Sequence, residues 1–442
     1  VAALAVAWLG IAAAMQPATA ASVFPYASHV ETLDNGLKCI LIPMNAGGLV
    51  AYWTVVRTGA RDEYEPGHTG FAHFFEHMMF RGSEKYPRDV REKLITQMGA
   101  DTNAFTSDDL TGYYMNIAAE DLQKVIELEA DRFLRLAYSE SDFRTEAGAV
   151  MGEYKKNRDN PFFAIYEAVH QEAFDVHTYG HTAMGFVEDI EAMPEMHDYS
   201  QRFFQRYYRP ENCVILVVGD FDRTQTLGWI KQHYGEWKPG YEAPQVKPEP
   251  EQTKEKRIDV PYNGQALPLV WVAYKSDAFD PANRNLVAAS VLCELAFGET
   301  SEIHKKLVLN EQVVEFISGE ANFNRDPGLI DIITRVKDPA KVDYVLAEID
   351  RTISQYQEAT ADGQRLADLK SRLKYDFLMG LDTPMNVSRA LSRVIAVTGG
   401  IEAIDALYAT YDQVSVEDVR EAARRYLVSQ RRTVAVLRGR ES

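Results

Sequence analysis

Apolar and polar positions along this chain switch between two periods, and the switches mark out its elements. Residues 37–43 (LKCILIP) and 49–57 (LVAYWTVVR) are short, nearly continuous apolar runs, a pattern that predicts buried strands. Over residues 69–80 the apolar positions fall at helical spacing, and residues 88–97 predict a second helix ending at Gly99. Residues 101–106 and 113–117 predict strands around a polar turn. Residues 121–136 and 141–156 are long and mix polar with apolar positions at helical period. A helix over 200–208 is broken by Arg209-Pro210, ahead of a buried strand at 213–218 (CVILVV). Strands and helices mix without strict alternation, which predicts an α+β fold.

Residues 236–256 break the pattern with Pro239, Pro244, Pro248 and Pro250 among charged and amide side chains, the composition of a surface linker. Behind it the pattern restarts: a strand at 268–273, a helix at 283–297, and at the end a helix at 416–427 before a strand at 433–437. That ending echoes 199–208 followed by 213–218, so the chain reads as a duplicated unit of roughly 200 residues. The expected organisation is a leader at 1–21, a first domain at 22–235, a linker at 236–257 and a second domain at 258–442.

The leader is different in kind. Residues 1–15 are uncharged and apolar, small residues follow, and Ala18-Thr19-Ala20 is an A-x-A cleavage signature. The apolar run is short against the roughly 20 residues of a membrane span. The expectation is export to a bacterial periplasm, with no membrane span after cleavage. With 47 basic against 65 acidic residues the net charge is −18, which argues against a nucleic-acid partner. Cys39, Cys213 and Cys293 are far apart and read as buried small hydrophobes, not as a disulfide framework.

Chemistry concentrates in residues 70–82 (GFAHFFEHMMFRG). His73, Glu76 and His77 spell H-x-x-E-H, the inverzincin arrangement. On a helix the two imidazoles lie one turn apart on one face and can grip one zinc ion, with the carboxylate in reach of a water. Phe71, Phe74, Phe75 and Phe80 flank them as core residues, one of them available to a substrate pocket. A catalytic zinc needs a third protein ligand, and residues 143–156 offer Glu146 and Glu153, two turns apart on one face. Spacing alone does not choose between them. His177 and His181 flank a turn and carry no expected metal role.

These stretches, with 58–63 (TGARDE), 99–114, 146–153 and 208–221, resemble the M16 family of zinc peptidases, and its short M16B subgroup in particular. The resemblance implies two M16-type repeats, each a mainly antiparallel sheet covered by helices, with the second inactive. Sliding the metal helix onto the second repeat puts Ser290, Cys293 and Glu294 at the places of His73, Glu76 and His77. It also implies one zinc per chain, Glu76 as general base, and a third ligand 76 residues beyond the second His. That position is Glu153, which leaves Glu146 a supporting role. Asn103, Ala104 and Phe105 resemble the family's substrate-docking edge strand.

One departure stands out. Many family members carry an Arg and a Tyr in the second repeat, and the corresponding positions here hold Val308 and Glu315. This implies a heterodimer with a sister subunit that carries the Arg/Tyr pair. The expected function is that of an exported zinc endopeptidase acting on short or unfolded peptides. The alternatives are a protease that matures one peptide, or a non-catalytic assembly subunit.

Overall fold

The computed structural model describes residues 22–439, so the expected leader lies outside the described residues. Two sheets account for the strands. The first holds β1 (His29–Thr32), β2 (Lys38–Pro43), β3 (Leu49–Val56), β4 (Asp101–Thr106), β5 (Thr111–Ala118) and β6 (Cys213–Gly219), in the order β1-β2-β6-β3-β5-β4. The second holds β7 (Lys256–Pro261), β8 (Leu269–Lys275), β9 (Val314–Ala321), β10 (Leu329–Val336) and β11 (Arg432–Arg438), in the order β7-β11-β8-β10-β9. Without β1 the two orders superimpose, including the one parallel pair in each, β2 with β6 and β7 with β11. The duplication read from the chain's ending is therefore a duplication of topology, and the fold is α+β with mainly antiparallel sheets.

The central strands read as continuous apolar runs because both faces of each sheet are covered. One face of the first sheet, with Cys39, Leu41, Val50, Tyr52, Ile215 and Val217, packs on the helices of its own half. Those helices include α1 (Phe71–Met78), α2 (Arg88–Gln97), α3 (Leu122–Arg135) and α4 (Glu140–Arg158). The other face, with Ile40, Trp53, Val55 and Leu216, packs on a helix of the second half, Pro384–Thr398, through Val387, Leu391 and Ile395. The exchange is reciprocal: α5 (Pro161–Ala173), from the first half, covers Leu269, Trp271, Ala435 and Leu437 of the second sheet through Ile165 and Val169. Each fully buried Val, Leu or Ile side chain among these is worth about 1.5–3 kcal/mol. The cysteines are free and buried.

Several elements were not assigned from sequence, among them α5, β9, β10 and the helices between Val342 and Gln413. The helix expected over 69–80 is shorter: α1 ends at Met78 and tightens into a 3-10 turn, Met79–Arg81. No helix or strand lies between Tyr234 and Lys256.

Candidate metal centre

Helix α1, which carries the H-x-x-E-H residues, is anchored by its apolar side. Phe71, Phe74, Phe75 and Met78 are fully buried, and this turns His73, Glu76 and His77 toward α4 and β4. Its start is fixed by Gly70, at φ +86°, where a Cβ would sit 2.7 Å from the Met184 carbonyl oxygen. The orphan amides of the first turn are met by Glu63, which accepts from Gly70 N at 2.7 Å and Ala72 N at 2.6 Å. Burial holds the Glu63 carboxyl well above its usual range, against the pull of those two donors. The opposing helix α4 starts with a capping box in which Ser139 and Asp142 bond each other's backbone N–H.

Between these helices three ligand atoms converge. Glu153 Oε2 lies 3.7 Å from His73 Nε2 and 3.3 Å from His77 Nε2. Both separations are long for an N–H···O bond. They match the roughly 3.4 Å between donors around a tetrahedral zinc ion with ligands at 2.0–2.1 Å. Among the described residues this is the group of His, Cys, Asp and Glu side chains able to hold a metal ion. The donor set therefore fits zinc, two imidazoles and one carboxylate with a position left over for water.

Glu146, two turns earlier on α4, stands behind the cluster. It accepts from His77 Nδ1 at 3.0 Å and from Arg81 Nη2 at 2.6 Å. This fixes the His77 ring with Nε2 free for a ligand bond. The hydrogen bond to Glu146 raises the His77 pKa above its ordinary value, with burial opposing. Burial, helped by His77 and opposed by Glu153, pushes His73 down to about 4, so that ring is neutral. Its Nδ1 is buried without a hydrogen-bond partner.

Glu76 projects past the cluster toward β4, where its Oε2 accepts from the Thr106 hydroxyl at 2.7 Å. Burial raises its pKa, and the Thr106 bond and His77 only partly offset this. A raised carboxylate pKa brings a base closer to neutral pH.

Asn103, Ala104 and Phe105 lie on β4, the edge strand of the first sheet, paired only with β5. Asn103 is exposed, and its Oδ1 accepts from Ala104 N at 2.9 Å, which leaves its amide donors free. A cavity of 510 Å³ lies beside the strand and the cluster, lined from the first half by His73, Glu76, Thr106 and Glu153, and from the second by Asn324 and Arg393. On the other side, Phe80 lines a 250 Å³ pocket with Glu76, His77 and Asn103. Phe71, Phe74 and Phe75 are core.

The other sequence expectations fall elsewhere. Val308 packs against the second half's core and Glu315 pairs with Arg335 at 2.9 Å; neither lines the cavity. His177 Nε2 faces Asp326 Oδ2 at 3.0 Å, and His181 Nδ1 bonds the Thr182 carbonyl at 3.0 Å. Sequence reasoning missed Glu63, Asn324 and Arg393, and read Thr106 as the last residue of the docking strand, not as a partner of Glu76. Glu63 and Thr106 sit in stretches that carry the M16 resemblance, but nothing local shows that one caps a helix and the other touches Glu76.

Comparison with known proteins bears on the family and the fold. The family profile described as Insulinase (Peptidase family M16) matches residues 42–185, and the one described as Peptidase M16 inactive domain matches residues 197–373. The zinc protease PqqE of Helicobacter pylori is 26% identical over 92% of this chain and 92% of its own. The beta subunit of the mitochondrial-processing peptidase of Bos taurus is 25% identical over 93% of this chain and 84% of its own. A solved protease from Helicobacter pylori superimposes with a TM-score of 0.87 at 24% identity, over 93% of this chain and 99% of that one. The first half of the periplasmic protease PqqL from Escherichia coli gives 0.74 at 19% identity, over 93% and 91%.

Proposed function

The chain belongs to the peptidase M16 family, and from that membership we propose that it is a zinc-dependent endopeptidase whose metal is held by His73, His77 and Glu153, with Glu76 as general base. The observation that carries this is the meeting of His73 Nε2, His77 Nε2 and Glu153 Oε2 around one point. A zinc ion there supplies the positive charge that acidifies water to a pKa of about 7 and polarises a substrate carbonyl. The chain's own residues do the rest. Glu76 accepts a proton from the attacking water and delivers it to the leaving amine. Thr106 fixes the rotamer of Glu76, Glu146 fixes the ring of His77, and Glu63 holds the start of the helix that carries both imidazoles. An extended peptide adds to the free edge of β4 through its backbone, a mode that suits short or unfolded substrates of varied sequence.

The test is a metal assay on the purified chain coupled to hydrolysis of a quenched peptide, with and without chelator. Zinc near one per chain and chelator-sensitive turnover are expected; a metal-free, inactive chain overturns the proposal. The apolar leader and its A-x-A signature support export to the periplasm, which N-terminal sequencing of the mature chain checks.

Val308 has no hydrogen-bond donor and Glu315 would repel an oxyanion, so neither can do the work of the Arg/Tyr pair, which supports a sister subunit that completes the site. Assaying the chain alone and then with its genomic neighbour added tests this. Full activity alone removes the motive for a partner.

A further inference from the structure

The loop that follows the docking strand, residues 107–110, is held from both halves of the molecule. On the first-half side, Ala60 N and Arg61 N donate to Ser107 O at 3.1 Å and Asp108 O at 2.8 Å. Gly59 lies so close that a Cβ there would sit 2.2 Å from Ser107 O.

On the other side is the tip of the β9–β10 hairpin, Asn324-Arg325-Asp326. Asn324 Nδ2 donates to Asp108 Oδ2 at 3.2 Å, and Arg325 N donates to Asp109 Oδ2 at 3.0 Å. The Arg325 guanidinium Nη2 reaches three carbonyl oxygens: Asp109 at 2.9 Å, Arg57 at 3.0 Å and Ala396 at 3.2 Å. Those carbonyls belong to the loop, to the residue that follows β3 and to the helix Pro384–Thr398. Its Nη1 lies 3.5 Å from Asp62 Oδ1, one residue before the Glu63 that caps α1. Asp326 Oδ2 accepts from Arg61 Nε at 2.7 Å. The planar fork of a guanidinium can join several acceptors at once in a way an ammonium cannot.

We propose that Arg325 is a positioning residue for the peptidase site: the second half's hairpin tip sets the place of loop 107–110, and through it the Thr106 hydroxyl that orients Glu76. The inactive half is then a working part of the active one. This rests on the reading of Glu76 as general base, and it goes beyond that reading by giving a residue of the second half a part in the geometry of the first.

Arg325→Met and Arg325→Lys test it, with zinc content, kcat, KM and amide hydrogen exchange measured on the full chain. In Arg325→Met, zinc stays at the parent level and kcat/KM falls about ten- to a hundredfold, the cost of a small misplacement. Exchange in peptides covering residues 104–111 quickens while α1 stays protected. Arg325→Lys recovers part of both effects. Unchanged kcat/KM overturns the proposal, whatever the exchange does, and so does a fall in kcat/KM with exchange in 104–111 unchanged. Should Arg325→Met not fold, Asn324→Ala removes the contacts of that side chain to Asp108 and to the Arg393 guanidinium and leaves Arg325 in place, and the same two readouts decide, with smaller shifts in the same directions expected. A parent chain that lacks turnover both alone and with its genomic neighbour added sinks the proposed function instead, and the exchange measurement alone then decides whether the tip holds the loop.

Discussion

The helix pair α1 and α4 has a counterpart in the second half, Arg284–Phe297 and Gly363–Met379, and the two pairs part company at a handful of side chains. Both first helices lie against the edge strand of their sheet: α1 touches β4, and in the second half a Cβ on Gly319 of β9 would sit 3.0 Å from the Phe297 ring. In the first half His73 and His77 face Glu153. At the matching places Ser290 turns its hydroxyl back to the Val287 carbonyl at 2.8 Å, and Glu294 forms an ion pair with Arg372 at 2.6 Å. Cys293, at the place of Glu76, is buried, and burial raises its thiol pKa out of any reactive range. The architecture is therefore indifferent to the chemistry. It brings two helices to the edge of a sheet, and the residues at three positions on one helix and one on the other decide between a cluster able to hold a metal ion and a half-exposed ion pair.

Removing the metal cluster should produce the largest change. His73→Ala, His77→Ala or Glu153→Ala is expected to bring bound zinc from one per chain to near none, with loss of turnover. A variant that keeps its zinc by metal analysis erases the proposed distinction between the two helix pairs. Glu76→Gln is expected to keep zinc and lower kcat about 10²- to 10⁴-fold, as loss of a general base does; turnover near the parent level would move that role to another residue.

Glu146→Gln comes next, with zinc affinity falling about 10- to 100-fold, the usual effect of a lost outer partner. It also carries a pH signature. Because Glu146 raises the His77 pKa above its ordinary value, the metal-free site keeps a proton on that ring to higher pH than a free imidazole does, and zinc must displace it. Affinity therefore drops in the parent as pH falls through this raised pKa. In Glu146→Gln the drop moves to lower pH. Zinc titrations at a series of pH values read the shift, and an unmoved midpoint removes Glu146 from the account.

The smallest effect belongs to the second pair. Glu294 and Arg372 are 38% and 41% exposed, so Glu294→Ala should cost no more than about 1 kcal/mol in urea unfolding and leave zinc and turnover untouched. A loss of turnover there would show that the inert pair feeds the active one by a route other than the hairpin tip.

The legible part of this molecule was local. His73, Glu76 and His77 share one helical face, and Glu153 sits two turns from Glu146, so spacing within two helices already constrained the centre. Choosing Glu153 over Glu146 took the M16 resemblance, because two carboxylates on one face look alike until the distance to the opposite helix is known. The illegible part was long-range. Asn324 meets Asp108 across 216 residues, and no local pattern in either stretch announces the other. α5 escaped for a related reason: it is wedged against the sheet of the opposite half and is apolar around most of its circumference, so the simple one-sided stripe that reveals a surface helix is blurred. Pro384–Thr398 does carry such a stripe, through Val387, Leu391 and Ile395, but nothing in it says that the sheet it covers belongs to the opposite half.

Those two crossed helices bear on what a protease would do to this chain itself. The stretch between Tyr234 and Lys256 carries no helix or strand, and a cut there severs the backbone but neither of the exchanged contacts. The nicked product should run as a single particle on a sizing column under native conditions and come apart only in denaturant. Either fragment made on its own should be insoluble, with one broad apolar face of its sheet stripped bare.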